Sequence, residues 1–100
     1  MAWVRACGAS EIKPGEAARI DADPPVAVFN VDGEFLATSD TCTHEESSLA
    51  DGYVDGAQVE CAWHFAKFCL RTGRALSLPA TEDLTTYRVR VADDAVFVDI

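Results

Sequence analysis

Cys42-Thr43-His44 and, sixteen residues further on, Cys61-Ala62-Trp63-His64 each set one thiol close to one imidazole. Both histidines of the chain and two of its four cysteines fall in these two short stretches. Thiolate sulfur and imidazole nitrogen are the soft and borderline donors among protein ligands, and pairs this closely spaced present both to one metal site from a single loop. A mononuclear zinc site would accept the same four donors, although zinc fingers usually group like ligands as Cys–Cys and His–His pairs. Here Cys and His alternate in both stretches. Mixed pairs also suit a dinuclear iron–sulfur centre in which both cysteines bind one iron and both histidines bind the other.

Loops that carry such residues need a frame, and the remainder of the sequence describes one. One hundred residues is the size of a single domain. With 49% hydrophobic and 25% charged residues the chain has ordinary globular usage. Apolar and polar residues alternate with period two in short stretches, which predicts strands at 3–7, 17–21, 26–31, 34–38, 58–61, 67–71, 74–77, 87–92 and 95–100. Turn signals separate them, the best being Asp32-Gly33, which supplies the positive φ angles that a two-residue type I′ hairpin needs. Many short strands predict an all-β fold, a small sandwich or barrel. From 40 to about 54 the alternation stops, leaving a long loop with room for one helical turn at 46–51. A long loop in so small a domain that also holds Cys42 and His44 reads as functional.

Net charge is −9, which argues against a nucleic-acid partner, since such domains need a basic face. A protein partner with a basic face is the better expectation. Apolar runs such as Val26-Ala27-Val28-Phe29 are too short to span a membrane, and a basic segment followed by an apolar one is missing from the N-terminus, so a cytoplasmic protein is expected. In that reducing compartment clustered thiols more often bind metal or catalyse than pair as disulfides.

The two loops, together with Asp51-Gly52-Tyr53, Val59-Glu60-Cys61, the run from His64 to Cys69 and then Arg71-Thr72-Gly73, make the whole chain resemble the Rieske ferredoxins. Lys67-Phe68-Cys69 followed by Arg71-Thr72-Gly73 is similar to the ferredoxin components of the biphenyl, toluene and benzene dioxygenases in particular. The resemblance implies a small antiparallel β-sandwich of the Rieske type. Residues 1–100 would form one domain, with a cluster-binding part at about 40–80 inserted between framework segments 1–39 and 81–100. It implies one 2Fe-2S cluster, with Cys42 and Cys61 on the inner iron and His44 and His64 on the outer iron, whose imidazole edges would face solvent. The implied role is electron carriage, not catalysis: a flavin-dependent reductase supplies the electron and a terminal aromatic-ring oxygenase receives it. A monomer is implied as well. The small subunit of assimilatory nitrite reductase, of the same fold, and a structural zinc module are the competing readings.

Departures from the wider family bear on the expected potential. Respiratory Rieske proteins carry an extra Cys after the first-loop His and another before the second, and these bridge the loops. Here Glu45, Glu46 and Ser47 follow His44, and Trp63 precedes His64. Ala66 and Phe68 stand where those proteins place a Ser and a Tyr that donate hydrogen bonds to sulfur. Without those donors the potential should lie at the low end of the Rieske range, about −150 mV. Ala66 also replaces a glycine common in the dioxygenase ferredoxins. Of the remaining cysteines, Cys7 has no assigned role and Cys69 is expected to be a small buried hydrophobe. Trp63 either shields the cluster or merely packs, and Pro79 matches the proline loop that covers the cluster in the family. Glu45 and Glu46 are either a solvated face or a docking patch beside His44, and Lys67, Arg71 and Arg74 are expected to neutralise nearby acids.

Overall fold

Val26-Ala27-Val28-Phe29 has no polar interruption because it lies at the centre of the molecule. The computed structural model describes residues 2–42, 48–62, 66–78 and 82–100. In strand β3 (Val26–Val31) every residue is buried, on both faces. Successive side chains of a strand point to opposite sides, so β3 contributes to two separate cores. Val26 and Val28 pack with Cys7, Ile12, Ala37, Val96 and Val98. Ala27, Phe29 and Val31 pack on the other side, with Cys42, Leu49, Val59, Cys61, Phe68 and Leu70 among their neighbours.

Three sheets produce these two cores, and every strand pair in them is antiparallel. The middle sheet has the order β2 (Ala17–Ile20), β3, β4 (Glu34–Ser39), β8 (Thr86–Tyr87). A second sheet, β1 (Trp3–Gly8), β10 (Ala95–Asp99), β9 (Val89–Ala92), covers one core. The third, β5 (Tyr53–Asp55), β6 (Gln58–Glu60), β7 (Lys67–Cys69), covers the other and arises entirely from chain lying between β4 and β8. The fold is therefore all-β, with a single turn of 3-10 helix at Ala9–Glu11 and another at Leu49–Asp51. No helix among the described residues is long and apolar enough to cross a membrane.

The β3–β4 hairpin turns at Asp32 and Gly33, with φ of 52° and 93°, the positive pair the sequence predicted. Its base is held by buried Asn30, which donates from Nδ2 to the Ile12 carbonyl at 2.7 Å and accepts the Gly33 N–H at 2.8 Å. The carbonyl oxygen and the amino group of that buried side chain thereby each have a partner.

Three expectations change. The sequence predicts one strand over 87–92, but the chain changes sheets at Arg88: Tyr87 pairs with Ala37 of the middle sheet, and Val89 with Val98 of the second. The Arg88 carbonyl accepts the Asp99 N–H at 3.0 Å and its guanidinium donates to the Asp99 carboxylate at 2.7 Å, which fixes the corner. Residues 74–77 are not a strand. Their ladder contact is a single bridge between Ala75 and Phe68, closed by the Cys69 N–H on the Arg74 carbonyl and the Leu76 N–H on the Lys67 carbonyl, while the Ala75 N–H donates to the Asp83 carboxylate at 2.8 Å. Conversely, β5 begins within the last residues of the stretch read as loop, since three residues are too few to show alternation.

Candidate metal centre

Each cysteine-bearing loop leaves the sheets through a closed neck. At the first, Thr41 and Ser48 form an isolated antiparallel bridge across residues 42–47. Asp40, 2% exposed, gathers the returning chain: its Oδ1 accepts from the Ser48 hydroxyl at 2.7 Å and from the Ala50 N–H at 3.1 Å, and its carbonyl accepts the Leu49 N–H at 2.7 Å. Asp40 also donates its own N–H to the Pro25 carbonyl at 3.0 Å, and its Oδ2 lies 3.7 Å from Nε of Arg19 on β2. At the second neck the Cys61 N–H donates to the Ala66 carbonyl at 2.8 Å. Directly beneath, Glu60 and Lys67 are ladder partners whose charged ends lie 4.0 Å apart.

The necks touch at Gly52. Its N–H closes the 3-10 turn onto the Leu49 carbonyl at 3.0 Å, and a Cβ there would sit 2.5 Å from the Glu60 carbonyl oxygen. Only a glycine lets the first loop's return limb lie this close to the end of β6. The same device recurs at Gly73, where φ is +78° and a Cβ would run into the Leu84 carbonyl. The Gly73 carbonyl accepts the Leu84 N–H at 2.7 Å, and Leu76 donates to the Lys67 carbonyl at 2.7 Å, so both limbs flanking residues 79–81 are tied to the third sheet's side of the molecule.

Cys42 and Cys61, 3% and 0% exposed, belong to one apolar cluster with Leu49, Ala66, Phe68 and Leu84. Two buried thiols at adjoining loop necks in an apolar setting are a fitting donor set for an iron–sulfur centre, where a dry surround keeps water from the sulfur. His44 and His64 lie outside the described residues, as do Glu45, Glu46, Trp63 and Pro79. Cys7 and Cys69 form no disulfide. Cys7 is in the opposite core, and burial, with the negative charge of Glu11 adding to it, pushes its thiol pKa up. Cys69 is not the buried hydrophobe expected. Phe68 takes the inward position on β7, which turns Cys69 outward, where hydrogen bonds from the Thr72 hydroxyl and backbone lower its pKa. Arg71 grips Glu34 through Nη2 and Oε1 at 2.8 Å and through Nη1 and Oε2 at 3.0 Å, and Lys67 faces Glu60, so these two cations do pair with acids. The bond from Arg71 holds the Glu34 carboxyl below its ordinary value. Asp40 is the residue that sequence reading missed, since an aspartate before a loop looks like any solvated acid.

Residues 2–88 match the Rieske [2Fe-2S] domain. The chain belongs to that family. A Rieske domain carries one 2Fe-2S cluster, and the two buried cysteines suit it. Over 101 aligned residues this Rieske chain is 50% identical to the 3-phenylpropionate/cinnamic acid dioxygenase ferredoxin subunit of Escherichia coli K12, covering 100% of this chain and 95% of that one. Its fold superposes on the Sphingomonas yanoikuyae B1 ferredoxin with a TM-score of 0.92 at 37% identity, covering 99% of each chain. A chain in the complex of reduced oxygenase and oxidized ferredoxin of carbazole 1,9a-dioxygenase matches with a TM-score of 0.91 at 39% identity, covering 96% of this chain and 91% of that one. The Rieske chain is thus an electron-transfer component and not a catalytic oxygenase.

Proposed function

We propose that this protein carries single electrons from a flavin-dependent ferredoxin reductase to the terminal oxygenase of an aromatic-ring dioxygenase. The observation that carries the reading is the burial of Cys42 and Cys61 in one apolar cluster at the adjoining necks of two loops, each of which continues to a histidine. Cys42 and Cys61 hold one iron; His44 and His64 hold the other. The bound cluster supplies a site that accepts and releases one electron. Neutral imidazoles in place of two thiolates remove two negative charges and so raise its potential relative to an all-cysteine cluster. Residues 40–80 act as the cluster-binding part of a single domain, framed by 1–39 and 81–100. The chain's own contribution is to fix the two loops, exclude water from the thiolates, and offer an acidic surface to partners with basic faces. It works as a monomer in the cytoplasm.

Relatives named for 3-phenylpropionate and cinnamic acid make an arylpropionate oxygenase the first partner to try. The test reconstitutes turnover from reductase, oxygenase and this chain, and measures iron and acid-labile sulfide beside it. His44→Ala and His64→Ala should each abolish the visible spectrum and electron delivery. Full iron, sulfide and spectrum in either variant would overturn the ligand assignment, and a colourless zinc protein would overturn the whole reading.

A further inference from the structure

Asp40 is a buried acid whose oxygens gather one limb of the first loop. Its carboxylate and carbonyl collect three donors from three consecutive residues, the Ser48 hydroxyl and the N–H groups of Leu49 and Ala50, within a site that leaves it 2% exposed. These are the residues on which the first loop returns, and Cys42 sits just two positions past Asp40 on the outgoing limb. The same carboxylate reaches back to Arg19 on β2, and its N–H to Pro25 just before β3, so the loop's anchor is continuous with the middle sheet. A buried carboxylate is costly unless its oxygens are satisfied, and here the satisfying donors all come from the loop or the sheet that must hold it.

We infer that Asp40 is a positioning residue for the cluster. It is a clasp that holds together the neck formed by Thr41 and Ser48, and thereby the placement of the Cys42 sulfur, through acceptor geometry at its carboxylate. The inference rests on the reading that Cys42 is a ligand. Asn at this position keeps one side-chain oxygen able to accept from both Ser48 and Ala50, whereas Ala keeps none. Removing the acceptor leaves two part-buried donors unmet, a loss large enough to speed opening of the neck by about tenfold or more.

The experiment uses the cluster-loaded protein with Asp40→Ala, Asp40→Asn, Ser48→Ala and Cys42→Ser. Cluster loss in chelator is followed by visible absorbance, the reduced cluster by EPR, and the Leu49 and Ala50 amides by hydrogen exchange. Asp40→Ala should lose its cluster at least tenfold faster and show an altered EPR line shape. Asp40→Asn should stay close to the parent in both. Ser48→Ala should fall between them and speed exchange at Leu49 and Ala50 while leaving β1, β9 and β10 unchanged, which decides the matter if Asp40→Ala does not fold. Parent-like lifetime and EPR in Asp40→Ala, equal loss in Asp40→Asn and Asp40→Ala, or a parent-like Ser48→Ala would each overturn the clasp. Cys42→Ser separates the two failures. Retention of the cluster there sinks the ligand reading, whereas loss there with an unaffected Asp40→Ala sinks the Asp40 inference alone.

Discussion

Ala66 and Phe68 are wholly buried in the same cluster of side chains as Cys42 and Cys61, so the two positions that lack hydroxyl donors face the region where the sulfurs lie. Reduction adds one negative charge, and a hydroxyl bonded to sulfur therefore strengthens on reduction and raises the potential. A change of about 1 kcal/mol in such a bond corresponds to about 40 mV for a one-electron couple. Voltammetry of Ala66→Ser and Phe68→Tyr should show upward shifts of that order that roughly add in the double variant. A second residue-scale outcome concerns the cysteines outside the centre. Cys69 faces outward with a lowered pKa and Cys7 is buried with a raised one, so alkylation at neutral pH should modify Cys69 at least about tenfold faster, read by mass spectrometry of the intact cluster-loaded protein. The candidate ligands Cys42, His44, Cys61 and His64 stand out in the sequence because metal chemistry restricts which residues can serve, and the structure describes two of them, Cys42 and Cys61, both buried in one cluster. The period-two rule applied to Phe68 and Cys69 together places them on opposite faces of the strand, so that with Phe68 in the core Cys69 turns away from that core. The role of Asp40 is not legible in the sequence, since it depends on contacts with residues eight to ten positions away.

Among the elements, turns are where the sequence speaks most plainly and where single changes separate best. Gly33 and Gly73 both have positive φ, but a Cβ at Gly33 meets nothing within 4 Å whereas at Gly73 it collides with the Leu84 backbone. Gly33→Ala should cost about 1–2 kcal/mol from the left-handed backbone alone. Gly73→Ala should cost at least about 1 kcal/mol more, from the added overpacking. Urea midpoints compare the two. The Asp32-Gly33 hairpin and β3 could be read from sequence because their signals are local: a turn dipeptide, and an apolar run covered on both faces. The corner at Arg88 could not, because the residues on either side of it alternate without a break, and only the partners, Ala37 for Tyr87 and Val98 for Val89, differ. Strand β5 escaped because its ladder to β6 is set by the Gly56 turn, at φ +59°, and not by its own composition.

At the scale of the whole molecule the net charge is −9, and the sheet β1–β10–β9 carries, on or beside its strands, Arg5, Arg88 and Arg90 against Asp93, Asp94 and Asp99, with the Arg90 guanidinium 4.7 Å from the centre of the Trp3 ring. That sheet covers the core opposite the one holding Cys42 and Cys61. On or beside the third sheet Asp51, Asp55 and Glu60 stand against Lys67, Arg71 and Arg74, and Glu45 and Glu46 directly follow His44 in the sequence. Electron delivery to a basic-faced partner should therefore slow with salt, as the Debye length falls from about 10 Å at 0.1 M to about 3 Å at 1 M. The paired changes Glu45→Lys and Glu46→Lys should lower both the association rate, followed by stopped flow, and its salt slope. The central claim is that two imidazoles and two thiolates of this chain hold one 2Fe-2S cluster, and electron–nuclear double resonance on reduced protein labelled with nitrogen-15 histidine addresses it most directly. Strong coupling to two histidine nitrogens is the predicted result. A reduced cluster without strongly coupled histidine nitrogen would contradict the account.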